Sequence, residues 1–282
     1  MKRNTAILCA ALLAVVSVVA FVFIFPSGGL ALPGTGIMED APKRADTQKE
    51  KPAKTEPKEE EEVTLGTHPM DVLIESMTLE EQVAQMFWVR CPSQGAEELI
   101  QKYQPAGYVL FGRDFENENK DEVAQTIPSY QDAAEIPLLI GTDEEGGQVV
   151  RASANRELRR WPFESPQEVY ADGGLHAVEA DTVEKDQFLK KLGINVNLAP
   201  ITDVSTSAKD FIYPRTLGKR AQETADYVGV MVRTMKKDGM GTVLKHFPGY
   251  DPNGDTHTGA VTDTRPAESF HKGDFLPFRA GI

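Results

Sequence analysis

The sequence predicts an α/β domain built on a parallel sheet with helices packed outside it. Three observations predict this class. From Met70 onward, short aliphatic runs and longer amphipathic stretches alternate four times. Loops rich in Gly, Pro and charged residues follow these runs, and α/β folds place their chemistry at that end of a strand. The chain of 282 residues is 40% hydrophobic, enough for one globular domain with a sizeable core and additional segments.

Two segments precede that domain. Lys2 and Arg3 flank an uncharged apolar run, Ala6–Phe25. As a helix it would be roughly 30 Å long, enough to cross a bilayer core. Residues 1–32 are therefore expected to be a membrane anchor or a signal sequence. The length of the run favours the anchor, because cleaved signals carry a shorter apolar region. The Gly28–Ala31 region supplies the small residues a cleavage site needs, so a secreted form is the alternative. The basic flank places the N-terminus inside and the remainder outside the cell membrane. Residues 33–66 are rich in Pro, Glu, Lys and Thr and nearly free of aliphatic side chains. Such a stretch buries too little apolar surface to offset chain entropy and is expected to be a disordered linker. The net charge of −13 argues against a nucleic-acid partner. Of the two cysteines, Cys9 lies in the apolar run, so an internal disulfide with Cys91 is not expected.

The folded part spans residues 67–282. Thr78-Leu79-Glu80-Glu81 reads as a capping box, and Val83, Met86 and Phe87 as one apolar face of the helix it starts. Gly107–Phe111 is the first expected strand. Lys120–Ala134 is a helix that Pro128 should bend or break. Ile136–Ile140 is the second strand, Leu175–Leu192 a charged helix, and Ile194–Leu198 the third strand. Ala221–Lys237 is a helix with Gly239 as its C-cap, and Thr242-Val243-Leu244 the fourth strand.

Chemistry-bearing residues collect just past the strands. After the second strand, Asp143-Glu144-Glu145-Gly146-Gly147 leads to Arg151. The paired glycines permit a tight backbone beside Asp143, and a carboxylate there can accept hydrogen bonds from a bound group. Arg151 can pair with Asp143 or with a substrate group. A solvated acidic turn also fits, while a metal site lacks a His or a further carboxylate to complete it. After the third strand, Asp203 is expected to brace the loop through backbone amides, and Arg215 lies further along. After the fourth, Lys245 and His246 stand together, and strand alternation could turn one of them away. The loop then runs to Asp255-Thr256-His257, where the carboxylate can hold the imidazole for acid/base work. Asp-Thr-His alone also fits an ordinary solvated loop.

Taken whole, Lys245-His246-Phe247-Pro248-Gly249 followed by Asp255-Thr256-His257 resembles the signature of glycoside hydrolase family 3, in its bacterial β-N-acetylglucosaminidase branch. The similarity extends over most of residues 70–282. The loop departs from the pattern in having Tyr250 where many relatives have His-Gly, and in being one residue shorter. The resemblance implies a (β/α)8 TIM-type barrel of which about the first half is present, the chain stopping in a helix at Ile282. It implies a retaining hydrolase that releases terminal β-linked N-acetylglucosamine from cell-wall-derived saccharides. His257 would be the acid/base and Asp255 its orienting partner. Asp143, Arg151, Arg215, Lys245 and His246 would bind sugar, and the nucleophilic Asp would lie beyond residue 282. No metal or organic cofactor is implied. A β-glucosidase-like member of the family and a non-catalytic surface module that binds glycan are the alternatives.

Overall fold

The computed structural model describes residues 69–250 and 254–282. Five short strands, Trp88–Arg90 (β1), Gly107–Leu110 (β2), Leu139–Thr142 (β3), Val196–Asn197 (β4) and Gly241–Thr242 (β5), form one sheet in chain order. Every neighbouring pair is parallel, so each connection must cross back over the sheet. Helices Ala96–Tyr103 (α1), Lys120–Asp132 (α2), Pro166–Lys191 (α3) and Ala221–Asp238 (α4) make these crossings. Two short helices, Pro69–Ser76 and Leu79–Ala84, precede β1, and two more, Ala267–Lys272 and Phe275–Gly281, close the chain.

Local signals set most helix ends. Thr78 and Glu81 form the expected capping box, and Gly239 closes α4 in the left-handed conformation. Two further boxes, Asn119 with Glu122 and Ser165 with Glu168, start α2 and α3. The expected helix from Leu175 is the second part of α3, which leaves helical geometry at Gly173 and Gly174 before resuming. The core joins Tyr108, Ile140, Ile194 and Leu189 to Met231 and Met235 of α4, all buried between sheet and helices.

Three expectations are corrected. The apolar face over Val83, Met86 and Phe87 does not form. The helix ends at Ala84, Met86 is 81% exposed, and the Phe87 carbonyl accepts from Ala106 N–H as the chain turns into β1. The sheet therefore has five strands rather than four. Pro128 does not end its helix, which continues to Asp132. Val123 and Ile127 are buried beneath it, and this packing outweighs the local cost of the missing N–H.

The added strand matters for the interior. Gly141 on β3 has no side chain because the Trp88 indole fills that space. A Cβ at Gly141 would lie 2.2 Å from the Trp88 ring, whose Nε1–H donates to the Leu139 carbonyl at 2.8 Å. Cys91, just past β1, is a buried free thiol whose pKa burial pushes up to about 11. Among the described residues no helix is long and apolar enough to cross a membrane. The apolar run at 6–25 and the linker at 33–66 lie outside the described residues.

Candidate active site

Asp143 is the first residue after β3, and its position follows from the strand ending at Thr142. Lys245 Nζ lies 2.5 Å from Asp143 Oδ1 and 2.6 Å from Glu145 Oε1. Asp143 and Glu145, two residues apart just past β3, thus turn their carboxylates to the same ammonium. Arg215, in a 3-10 turn at Tyr213–Arg215, donates to both oxygens of Glu145 at 2.9 and 2.8 Å. The same guanidinium lies 3.2 Å from His246 Nε2. Arg151 adds a looser contact, 3.5 Å from Asp143 Oδ2. Its Nε is buried without a hydrogen-bond partner among the described residues. The five expected sugar-binding residues thus form one connected network.

Two features of the Asp-Glu-Glu-Gly-Gly turn hold this geometry. Gly146 and Gly147 have φ of 99° and 63°, and a Cβ at Gly146 would lie 2.0 Å from the Glu164 carbonyl. Glu144 is fully buried and accepts from the backbone N–H groups of Arg151, Ala152 and Ser153 at 3.1, 2.9 and 3.3 Å. Burial raises its pKa, against the pull of the Ser153 hydroxyl and those amides. That cage sets the start of the segment from which Arg151 reaches Asp143.

The charges in the network are held by each other. Burial opposes ionisation of Asp143, but Lys245, Arg151 and Arg215 together keep its pKa below the usual carboxylate range. Burial likewise opposes the charge on Arg215, and the paired bonds to Glu145 outweigh it and raise the guanidinium pKa.

Lys245 and His246 both face this network, and strand alternation turns neither away. The strand β5 has ended at Thr242, and Lys245 is joined to Ile201 by an isolated bridge. The Lys245–His246 peptide is cis. Asp203, fully buried, accepts from the backbone N–H groups of His246 and Tyr250 at 3.1 and 2.9 Å, as a loop brace should. It also lies 2.7 Å from His246 Nδ1. A guanidinium can only donate, so the contact with Arg215 needs an unprotonated Nε2 and leaves the ring proton on Nδ1, facing Asp203.

Asp255 and His257 stand apart from the network on the rim, the His257 side chain 69% exposed. Asp255 Oδ1 accepts from the His257 backbone N–H at 2.9 Å and lies 2.7 Å from His257 Nδ1. The backbone N–H bond, with the imidazole and Arg215 beyond it, lowers the Asp255 pKa. Aromatic rings bridge rim and network: Phe211 lies 6.3 Å from His257 and 5.6 Å from Tyr250, and Tyr250 lies 5.0 Å from His246 between ring centroids. Among the described residues no group of three or more His, Cys, Asp or Glu is placed to hold a metal ion.

The residue missed from sequence is Glu145, the acceptor shared by Arg215 and Lys245. The alternation of Asp143 and Glu145 was the signal that could have found it.

A charged cluster at the C-terminal ends of parallel strands, with loops supplying its outer parts, is the placement at which α/β folds carry their functional residues. Residues 78–282 match the Glycosyl hydrolase family 3 N terminal domain, and the chain belongs to that family. It is 32% identical over 181 residues to a protein named Beta-hexosaminidase from Xanthomonas campestris pv. campestris (strain B100), covering 63% of this chain and 54% of that protein. It is 31% identical over 196 residues to Beta-hexosaminidase A of Pseudoalteromonas piscicida, covering 64% and 31%. The chain therefore spans about half the length of the Xanthomonas relative or less of the other. Among solved structures, a family 3 glycosyl hydrolase from Mycobacterium smegmatis superposes with a TM-score of 0.63 at 25% identity, over 73% of this chain and 61% of that one. A family 3 beta-N-acetylglucosaminidase from Paenibacillus sp. matches in fold, with a TM-score of 0.61 at 24% identity, over 73% and 40%.

Proposed function

We propose that this domain is the N-terminal part of a retaining β-N-acetylhexosaminidase acting on saccharides derived from cell-wall glycan. The observation that carries the reading is the convergence of Asp143, Arg151, Arg215, Lys245 and His246 beside a rim that bears Asp255 and His257. Asp143 accepts from sugar hydroxyls, and Lys245, Arg151 and Arg215 donate to them. His257, oriented by Asp255, donates a proton to the leaving oxygen and later takes one from water. The nucleophilic carboxylate comes from a further strand outside this sequence. The named relatives supply the substrate class, and their greater length leaves room for that strand.

The half-barrel belongs to the same proposal. Five parallel strands in chain order, with helices between them, correspond to the first five of the eight units of a TIM-type barrel. Further strands would cover the free edges of β1 and β5.

The test is hydrolysis by the full-length protein of an aryl N-acetyl-β-glucosaminide against the matching β-glucoside. Preference for the acetamido sugar is expected. Equal or reversed preference would replace the reading with a β-glucosidase. Saccharide binding without turnover of either would leave a glycan-binding module. Residues 67–282 alone are expected to give no turnover.

A further inference from the structure

We propose that Tyr250 is a positioning residue that ties the acid/base loop to the sugar-binding end of the site, an assignment that rests on the glycosidase reading above. Tyr250 stands where the loop departs from the family pattern, and it is attached at both ends. Its backbone N–H donates to Asp203 Oδ1 at 2.9 Å, while Asp203 Oδ2 lies 2.7 Å from His246 Nδ1. One buried carboxylate thus fixes both the Tyr250 main chain and the His246 ring. The Tyr250 ring meets His246 nearly edge to face, at 81° and 5.0 Å between centroids.

At its other end, the phenol oxygen lies 2.7 Å from Thr256 Oγ1. Thr256 sits between the two members of the dyad, and Asp255 Oδ1 already holds both His257 N–H and Nδ1. Moving Thr256 therefore moves Asp255 and His257 together. Phe211 packs against Tyr250 and faces His257, so the phenol is held laterally as well. The chain of contacts runs from Arg215 through His246 and Asp203 to Tyr250 and Thr256. It sets the distance between the residues that grip the sugar and the imidazole that protonates its leaving group. A proton donor misplaced by a fraction of an ångström loses rate while binding is retained.

The experiment uses the full-length protein with Tyr250→Phe, Thr256→Val, both together, and Thr256→Ser, which keeps the hydroxyl. Substrates are a β-linked N-acetylglucosamine disaccharide and its 4-nitrophenyl counterpart. Loss of one hydrogen bond should lower kcat on the disaccharide about fivefold, with KM changed by less than about twofold. The activated aryl substrate, which needs little protonation, should change by less than about twofold. The double variant should be no slower than either single one, and Thr256→Ser should retain the wild-type rate. Equal losses on both substrates, a loss confined to KM, or additive losses would overturn the assignment. Amide hydrogen exchange at residues 255–257, faster in Tyr250→Phe than in wild type, reads the tie without turnover. A wild-type protein that cleaves neither substrate defeats the glycosidase reading, and unchanged exchange defeats the tie.

Discussion

Glu145 and Arg215, 70 residues apart in the chain, meet in a two-point carboxylate–guanidinium pair at 2.9 and 2.8 Å, with the Glu145 side chain 1% exposed. The second oxygen-bound cation, Lys245, lies 2.6 Å from the same carboxylate. A paired guanidinium holds its plane, so Glu145 sets the direction in which Arg215 offers its remaining donors. Glu145 contributes to the network by fixing two cations, Arg215 and Lys245.

Glu145→Gln is therefore expected to damage binding and folding together. One negative charge is lost beneath two buried or half-buried cations, and stability should fall by about 3 kcal/mol. KM should rise about tenfold for good and poor leaving groups alike. Denaturant unfolding and steady-state kinetics on both substrate types check this. A variant with unchanged KM would make Glu145 a folding residue only.

Removal of His257 should show the opposite pattern. His257→Ala is expected to slow hydrolysis of a sugar leaving group by roughly 10²–10⁴-fold, and an activated aryl glycoside much less. Small anions such as azide should rescue the second step with the aryl substrate. Equal losses on both, without build-up of a glycosyl-enzyme, would leave this exposed imidazole without an acid/base role.

A buried acid outside the site predicts a pH effect on stability. Asp186 on α3 is 1% exposed, and neither side-chain oxygen has a hydrogen-bond partner among the described residues. Burial, with Asp238 adding repulsion, pushes its pKa up to about 7. Its folded pKa lies above the unfolded value of about 3.9, so its proton favours the fold. That stability is fully present below about pH 4 and is lost as pH rises through about 7. Asp186→Asn should gain on wild type across this window, by about 2–4 kcal/mol at pH 8. Thermal unfolding of both proteins at pH 4, 6 and 8 reads it, and a constant difference would disprove the linkage.

The N-terminal segments give a cellular prediction. The uncharged Ala6–Phe25 run and its Lys2 and Arg3 flank are expected to hold the intact protein in the membrane, with the folded domain outside. Fractionated cells should retain it through carbonate washing, and external protease should reach it. A soluble form beginning near residue 32 would replace the anchor with a cleaved signal.

Sequence by itself determined the features that depend on near neighbours. Thr78 with Glu81 caps its helix, Gly239 ends α4, and helix geometry resumes at Leu175, because each depends on atoms within a few residues. It also placed Asp143, Lys245 and His246 just past their strands, since a strand's end shows in the change from aliphatic to polar residues. The family pattern over residues 245–257 added the Asp255–His257 pair, which is local too. Tertiary structure alone decided what meets across long separations. β1 is three residues long, too short to show a period, and exists because Trp88, Val89 and Arg90 pair with Gly107, Tyr108 and Val109. Asp203 gains the His246 ring beside the backbone amides it braces, and Glu145 turns from an acid in a turn into the acceptor for Arg215 and Lys245, only when the parallel sheet brings the ends of β3, β4 and β5 side by side. Parallel pairing joins residues separated by a whole crossover helix, and no local pattern encodes which of them will touch.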